Sequence, residues 1–282
     1  MNIKLIASDL DGTLLNHKKE IPEFTRRVLL QAMKKGIYFV PSTGRSFHSL
    51  PEEVLNLPGV EYIMTSNGAA IYSVSKQKRI YQCLMDSSSV EAILNLSLPE
   101  NMILEAYMEG TPYAEQRYLD NPRAFGATEY GEIYVRNTRQ GMADMREFIS
   151  RNRNNLDSMS FVCPDAEQIL LLKKKLEDQV QDLYITLTFA HMLEVGNPNA
   201  GKGQTLSHLL ELLHISRDEA MAFGDAHNDL DMLASVTYGI AVENASEDCK
   251  KAAFAVTESN EEDGVGKAIL RYVEALKVDI GV

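Results

Sequence analysis

Four short polar clusters in this 282-residue chain carry residue types that can handle a phosphate group. The first is Asp9-Leu10-Asp11-Gly12-Thr13, directly after the apolar run Ile3 to Ser8. Side chains at i and i+2 leave a strand on the same side, so Asp9 and Asp11 begin as neighbours, although a turn at Gly12 can re-aim the second. Two adjacent carboxylates repel and raise one pKa unless a cation lies between them. Magnesium suits that place, because it takes one or two protein carboxylates and leaves room for phosphate oxygens. Asp and Gly are also ordinary turn residues, so Asp-x-Asp alone would read as an acidic turn. Its position directly after a buried first strand favours the chemistry.

The second cluster, Ser42-Thr43-Gly44-Arg45, follows another apolar run. A hydroxyl and free N–H groups at a helix start bind phosphate oxygens, whereas the bland alternative is a helix cap. The third is Lys202 in Ala200-Gly201-Lys202-Gly203. Flanking glycines let a ligand approach the backbone closely, and the ammonium would offset phosphate and carboxylate charge. A solvated helix-end lysine is the alternative. The spacing is not that of a P-loop. The fourth, Gly224-Asp225-Ala226-His227-Asn228-Asp229, offers Asp225, Asn228 and Asp229 as oxygen ligands, or simply a capped helix start. His227 reads as a surface residue, since magnesium favours oxygen. Each cluster is ambiguous alone; the set is not, because each flanks a different expected strand.

The elements that must position these clusters follow from periodicity. Ile3–Ser8, Ile37–Val40 and Tyr62–Thr65 read as strands, with helices over about Pro22–Lys35 and Ser46–Leu57 between them. That alternation predicts a parallel sheet with crossover helices. Parallel strands bring their carboxyl ends to one edge, where ligands bind in open α/β sheets. Ala69–Tyr72 and Arg79–Leu84 read as a hairpin. Helices are expected near 87–98, 140–152 and 164–178, and strands near 101–108, 131–136, 157–162 and 183–189. The alternation returns with strands at Met192–Val195, Ala220–Phe223 and Tyr238–Val242, and helices at Lys202–His214 and Gly264–Leu276. The expected organisation is a core of residues 1–84 and 190–282, with an α+β insertion at residues 85–189. The fold class is α/β, a doubly wound and mostly parallel sheet with an inserted α+β cap.

Composition narrows the partners. The chain is 45% hydrophobic and 24% charged, ordinary for a soluble protein, and its net charge is −12. That average field repels nucleic acid, and a small anionic substrate would need a local positive site. Three widely spaced cysteines, Cys83, Cys163 and Cys249, suggest a reducing compartment. No apolar run approaches a membrane span and no signal peptide is evident, so the expected location is cytoplasmic.

These motifs resemble those of the haloacid dehalogenase superfamily, and within it the Cof-type phosphatases. Asp9-Leu10-Asp11-Gly12-Thr13-Leu14-Leu15 resembles the first family motif, Ser42-Thr43-Gly44-Arg45 the second, Lys202-Gly203 the third, and Gly224-Asp225-Ala226-His227-Asn228-Asp229 the fourth. Ser66-Asn67-Gly68-Ala69 and Asp263-Gly264-Val265 also fit the Cof-type pattern. The insertion is similar to a type IIB cap in position and in its mixed pattern. The approach Gly196–Gly201 is longer than the family's usual turn before the lysine. The resemblance implies a magnesium-dependent phosphatase for small phosphorylated metabolites, sugar phosphates first. Asp9 is then the nucleophile and Asp11 the acid/base. Magnesium is held by Asp9, the Asp11 backbone carbonyl and Asp225, with Asp229 in support. Phosphate is bound by Leu10, Thr43, Gly44, Lys202 and Asn228. Arg45 either reaches the substrate or forms a structural ion pair, and Glu109 and Arg117 are candidates on the cap. The resemblance leaves room for a phosphomutase, which shares every motif. A phospho-acceptor module is the rival from another class; there the acceptor Asp follows a later strand and no long insertion is expected.

Overall fold

Short, mostly apolar and mostly buried runs make the first strands. The computed structural model describes residues 2–273 and residue 276. It begins with β1 (Leu5–Ser8), α1 (Glu23–Lys34), β2 (Tyr38–Pro41), α2 (Glu52–Leu55), β3 (Tyr62–Thr65), β4 (Ala70–Ser73) and β5 (Lys78–Gln82). There follow α3 (Ser87–Leu94), β6 (Ile103–Met108), β7 (Thr111–Glu115), α4 (Gln116–Asp120), α5 (Glu129–Thr138), β8 (Gln140–Met142), α6 (Met145–Arg151), β9 (Leu156–Val162), α7 (Ala166–Gln179), β10 (Tyr184–Phe189) and β11 (Met192–Gly196). The last part is α8 (Lys202–Leu213), β12 (Ala220–Gly224), α9 (Leu230–Ser235), β13 (Tyr238–Ala241), α10 (Glu247–Ala252), β14 (Ala255–Val256) and α11 (Gly264–Tyr272). No helix among the described residues is long and apolar enough to cross a membrane.

The chain divides into two compact units. One comprises Met1–Arg45, Leu50–Tyr81 and Gly201–Val282; the other comprises Ser46–Ser49 and Gln82–Ala200. The first unit holds a five-stranded sheet in the order β14-β13-β12-β1-β2, parallel throughout. β1 lies between β12 and β2, and its register sets Ser8 level with Phe223 on one side and Pro41 on the other. The residues after those three positions therefore leave the sheet together at its carboxyl edge.

β3 departs from the expected third parallel strand. It pairs antiparallel with β4 in a separate sheet, β3-β4-β5, and touches the β2 side through a single parallel bridge between Ser42 and Met64. The turn Ser66–Gly68 sends the chain straight back, so β3 meets β4 locally. The expected helix over Ser46–Leu57 is broken: a short turn of 3₁₀ helix at Phe47–Ser49 is followed by Pro51 and the single turn of α2.

The second unit is a six-stranded sheet, β10-β11-β9-β6-β7-β8, antiparallel except for the pairing of β7 with β8. Leu104, Ala106, Met159, Phe161, Leu193 and Val195 on alternate positions pack with Val90, Ile93, Met145, Ile149, Ile169 and Leu172 from the helices. β11 belongs to this sheet, between β9 and β10, whereas the sequence pattern puts Met192–Val195 with the returning core alternation. Two residues separate it from β10, so the hairpin closes first. The strand expected at 131–136 is part of helix α5. Thr128 caps it by accepting the Gly131 N–H, and Glu132 pairs with Arg136 one turn on.

In the first unit, α1 packs on α11. The Asp263 carboxylate accepts hydrogen bonds from the N–H and the hydroxyl of Thr25, at 3.0 and 2.8 Å, and so joins the starts of these two helices. Asp263 has φ 60. Asp263→Ala should lower stability by about 2–4 kcal/mol in urea unfolding, from the lost charged bonds and the strained φ. Asp263→Gly, free of that strain, should lose less.

Candidate active site

Strand register delivers the acidic groups. The Asp9 N–H continues the ladder to Phe223 O (3.0 Å), and the Ser42 N–H donates to Ser8 O (2.8 Å). Asp9, Thr43 and Asp225 thus follow three neighbouring strand ends. Lys202, the first residue of α8, is 1% exposed. Its ammonium donates to Asp9 Oδ1 and to Asp229 Oδ1, each at 2.7 Å. Oxygens of Asp9, Asp225 and Asp229 lie within 4.8 Å of one another.

Three carboxylates around one ammonium leave excess negative charge in a buried place. Burial pushes the Asp9 carboxyl well above its usual range, and the charges of Asp229 and Asp225 add to that against Lys202. Burial, then Asp229, raises Asp225 from 3.8 to about 6. Burial alone would lower Lys202, but Asp229 and Asp9 win and raise it. An all-oxygen donor set with surplus negative charge is what a hard divalent cation such as magnesium binds, so these residues fit the expected metal.

The surroundings hold the set in place. Asp229 Oδ2 accepts the N–H groups of Asp225 (3.0 Å) and Ala226 (3.1 Å), and the Thr13 hydroxyl donates to Asp225 Oδ1 (2.8 Å). Gly12 has φ +91, and a Cβ there would sit 2.7 Å from Asp225 Oδ2, so the loop after Asp11 reaches Asp225 only with glycine. The Leu10 carbonyl collects the N–H groups of Thr13, Leu14 and Leu15.

The Asp11 carboxylate stands apart from that trio. Arg45 donates to it twice, Nε to Oδ2 at 2.6 Å and a terminal nitrogen to Oδ1 at 2.8 Å. Lys19 Nζ donates to Oδ1 at 2.8 Å. Burial raises the Asp11 pKa, but the bonds and charges of Arg45 and Lys19 outweigh it and bring the group down to about 2. Arg45 therefore makes an ion pair, one of its two anticipated roles. Lys19 carried no signal in the sequence; its loop is shaped by Asn16, whose side chain accepts the Lys18 and Glu20 N–H groups.

The remaining candidates fall as follows. Thr43 Oγ1 accepts the Arg45 N–H at 3.1 Å, which leaves its hydroxyl proton to donate. Asn228 Nδ2 donates to Asn67 Oδ1 at 2.9 Å. His227 is exposed. In the second unit, Glu109 lies in the turn between β6 and β7 with φ 51, and Arg117 is committed to Glu115 and to the carbonyls of Glu100 and Met102.

Residues 6–269 match the family model for haloacid dehalogenase-like hydrolases. The phosphatase YwpJ of Bacillus subtilis is 31% identical over 93% of this chain and 97% of its own. The 5-amino-6-(5-phospho-D-ribitylamino)uracil phosphatase YcsE of the same organism is 27% identical over 97% of each. The crystal structure of a haloacid dehalogenase-like hydrolase from Bacteroides thetaiotaomicron superposes with a TM-score of 0.82 at 27% identity, covering 95% of this chain and 99% of that one. The chain belongs to the haloacid dehalogenase-like hydrolases, of the Cof type. Within that class it is a phosphoric monoester hydrolase.

The raised carboxyls set a pH dependence with a definite sign. A carboxyl whose pKa rises on folding binds its proton more tightly in the folded state. The stability Asp225 contributes is full below 3.8 and is lost as pH climbs through about 6, and Asp9 acts in the same direction. Asp11, depressed to about 2, acts oppositely and only at pH below 3.8. In chelator, the melting temperature should fall as pH rises from about 4 to about 6.5. Asp225→Asn should flatten much of that fall; an unchanged slope would remove Asp225 as its source.

Proposed function

We propose that the chain is a magnesium-dependent phosphatase for small phosphate monoesters, working through an aspartyl-phosphate on Asp9. The observation that carries this reading is the buried Asp9 carboxylate with one oxygen held at 2.7 Å by Lys202, within a trio of acidic groups. A nucleophilic carboxylate needs one oxygen fixed and the other available to attack phosphorus in line. Asp9 would attack, the leaving alcohol would take a proton from Asp11, and Asp11 would then draw a proton from the hydrolytic water. Held at about 2 by Arg45 and Lys19, Asp11 rests in the form suited to the second of these steps. Donating a proton in the first requires those contacts to loosen.

Asp9, Asp225 and the Asp11 backbone carbonyl would hold magnesium, with Asp229 anchoring Lys202 and the Asp225 loop. The ion would supply positive charge against the transferring phosphoryl group. The hydroxyl of Thr43, the N–H groups of Leu10 and Gly44, the Lys202 ammonium and Asn228 would take the non-bridging oxygens. The substrate reading is a small phosphorylated metabolite, with sugar and sugar-alcohol phosphates first. It is supported by the relative whose name specifies a phosphoribityl compound and by a net charge of −12, unsuited to polyanions. Three cysteines widely spaced in sequence suit a cytoplasmic setting.

Two variants test the mechanism with p-nitrophenyl phosphate, magnesium and a free-phosphate readout. Asp9→Asn should be folded and inactive; retained turnover in a pure sample would remove the nucleophile. Lys202→Ala should lose about 10²–10³ in kcat. It should also melt earlier, because two buried carboxylates lose their partner. A loss under about threefold would assign the cationic role elsewhere. For the substrate class, a panel of phosphorylated metabolites should release phosphate from several small esters. Activity confined to nucleic acid ends or phosphoproteins would overturn that reading.

A further inference from the structure

The turn Ser66–Gly68 lies outside the acidic cluster yet touches three segments that carry the site. Ser66, Asn67 and Gly68 have φ of 50, 51 and 93, three successive left-handed residues of which two are not glycine. Left-handed backbone at two successive non-glycine residues is uncommon, so surrounding contacts must enforce the shape. The Asn67 N–H donates to Thr43 O (3.1 Å) and the Ser66 N–H to Arg45 O (2.9 Å). Thr205, one turn along α8 from Lys202, donates its hydroxyl to Gly68 O (2.6 Å).

The Asn67 side chain completes this convergence. It is 4% exposed. Its Oδ1 accepts one N–H of the Asn228 amide at 2.9 Å. The same amide lies across Gly44, where a Cβ would come within 3.1 Å of Oδ1 and 3.2 Å of Nδ2. One buried side chain thus bonds one group read above as a phosphate ligand and lies beside another, from loops far apart in sequence.

We propose that Asn67 is a positioning residue for phosphate: it orients the Asn228 amide and sets the place of the Gly44 peptide. This rests on the reading of Asn228 and Gly44 as phosphate ligands. An unrestrained asparagine amide rotates freely about its last bond. Accepting one of its two N–H bonds fixes the plane and aims the second N–H. Asparagine suits the task because it tolerates the left-handed backbone and offers a neutral acceptor. Aspartate would accept equally well but would bring a negative charge beside a dianion.

Glycine at position 67 separates a backbone role from a side-chain role, because it adopts φ 51 without strain and carries no amide. The measurements are calorimetric binding of inorganic phosphate to the full chain with saturating magnesium, KM for p-nitrophenyl phosphate, and the melting temperature. Asn67→Gly should weaken phosphate binding and raise KM by about tenfold while melting no lower than Asn67→Ala. Asn67→Asp should weaken phosphate more than either. Asn228→Ala should give a loss similar to Asn67→Gly, and the double variant should be little worse than Asn228→Ala alone. Wild-type phosphate affinity in Asn67→Gly, with Asn228→Ala impaired, would overturn the positioning role and leave the phosphate site standing. An Asn228→Ala protein with unaltered phosphate affinity would overturn the underlying reading and the role of Asn67 together.

Discussion

The Lys202 ammonium shared by Asp9 and Asp229 is the interaction on which the site depends. A lone buried ion costs several kcal/mol, and each partner here offsets that cost for the other. One cation cannot balance three carboxylates, however, and burial first, then the neighbouring carboxylates, hold Asp9 and Asp225 above their ordinary values. The arrangement is thus stable enough to fold and still disposed to accept further positive charge. Asp229 does two jobs at once: one oxygen holds Lys202, and the other holds the N–H groups that shape the Asp225 loop.

That cluster exists because of register. With Ser8 level with Phe223 and Pro41, Asp9, Asp225 and Thr43 leave the sheet beside one another. A slip of one residue would turn a strand's side chains to the opposite face and take its catalytic candidate out of the group. Ala7, Ala220 and Ala222 in these strands are fully buried, and a buried strand penalises such a slip. Asp11, only two residues from Asp9, enters a different environment, paired with Arg45 and Lys19. One strand end thereby presents a carboxylate with a raised pKa and another with a lowered one. Surroundings commonly drive paired carboxylates of hydrolytic sites apart in pKa.

The second unit marks where pattern reading runs out. Ile133-Tyr134-Val135 reads as a strand because it is apolar and partly β-branched, yet it lies in a helix with only Val135 buried. Its cap and its Glu132–Arg136 pair support the helix, and neither is visible in a hydrophobic profile. β3 and β11 were legible as strands. Their partners were not, because a four- or five-residue apolar run is compatible with parallel or antiparallel neighbours alike.

The sequence by itself determined the α/β alternation, the strand ends that carry Asp9, Thr43 and Asp225, the start of α8 at Lys202, and the family these motifs mark. Those features are local: residue type, spacing and turn chemistry specify them within a few positions. Only the tertiary structure decided that Lys202 meets Asp9 across 193 residues, that Asn67 meets Asn228 across 161, and that Lys19 joins Arg45 on Asp11. Partner choice at such separations is set by packing and register over the whole sheet. A lysine or asparagine carries no local mark of the group it will face once the chain has closed.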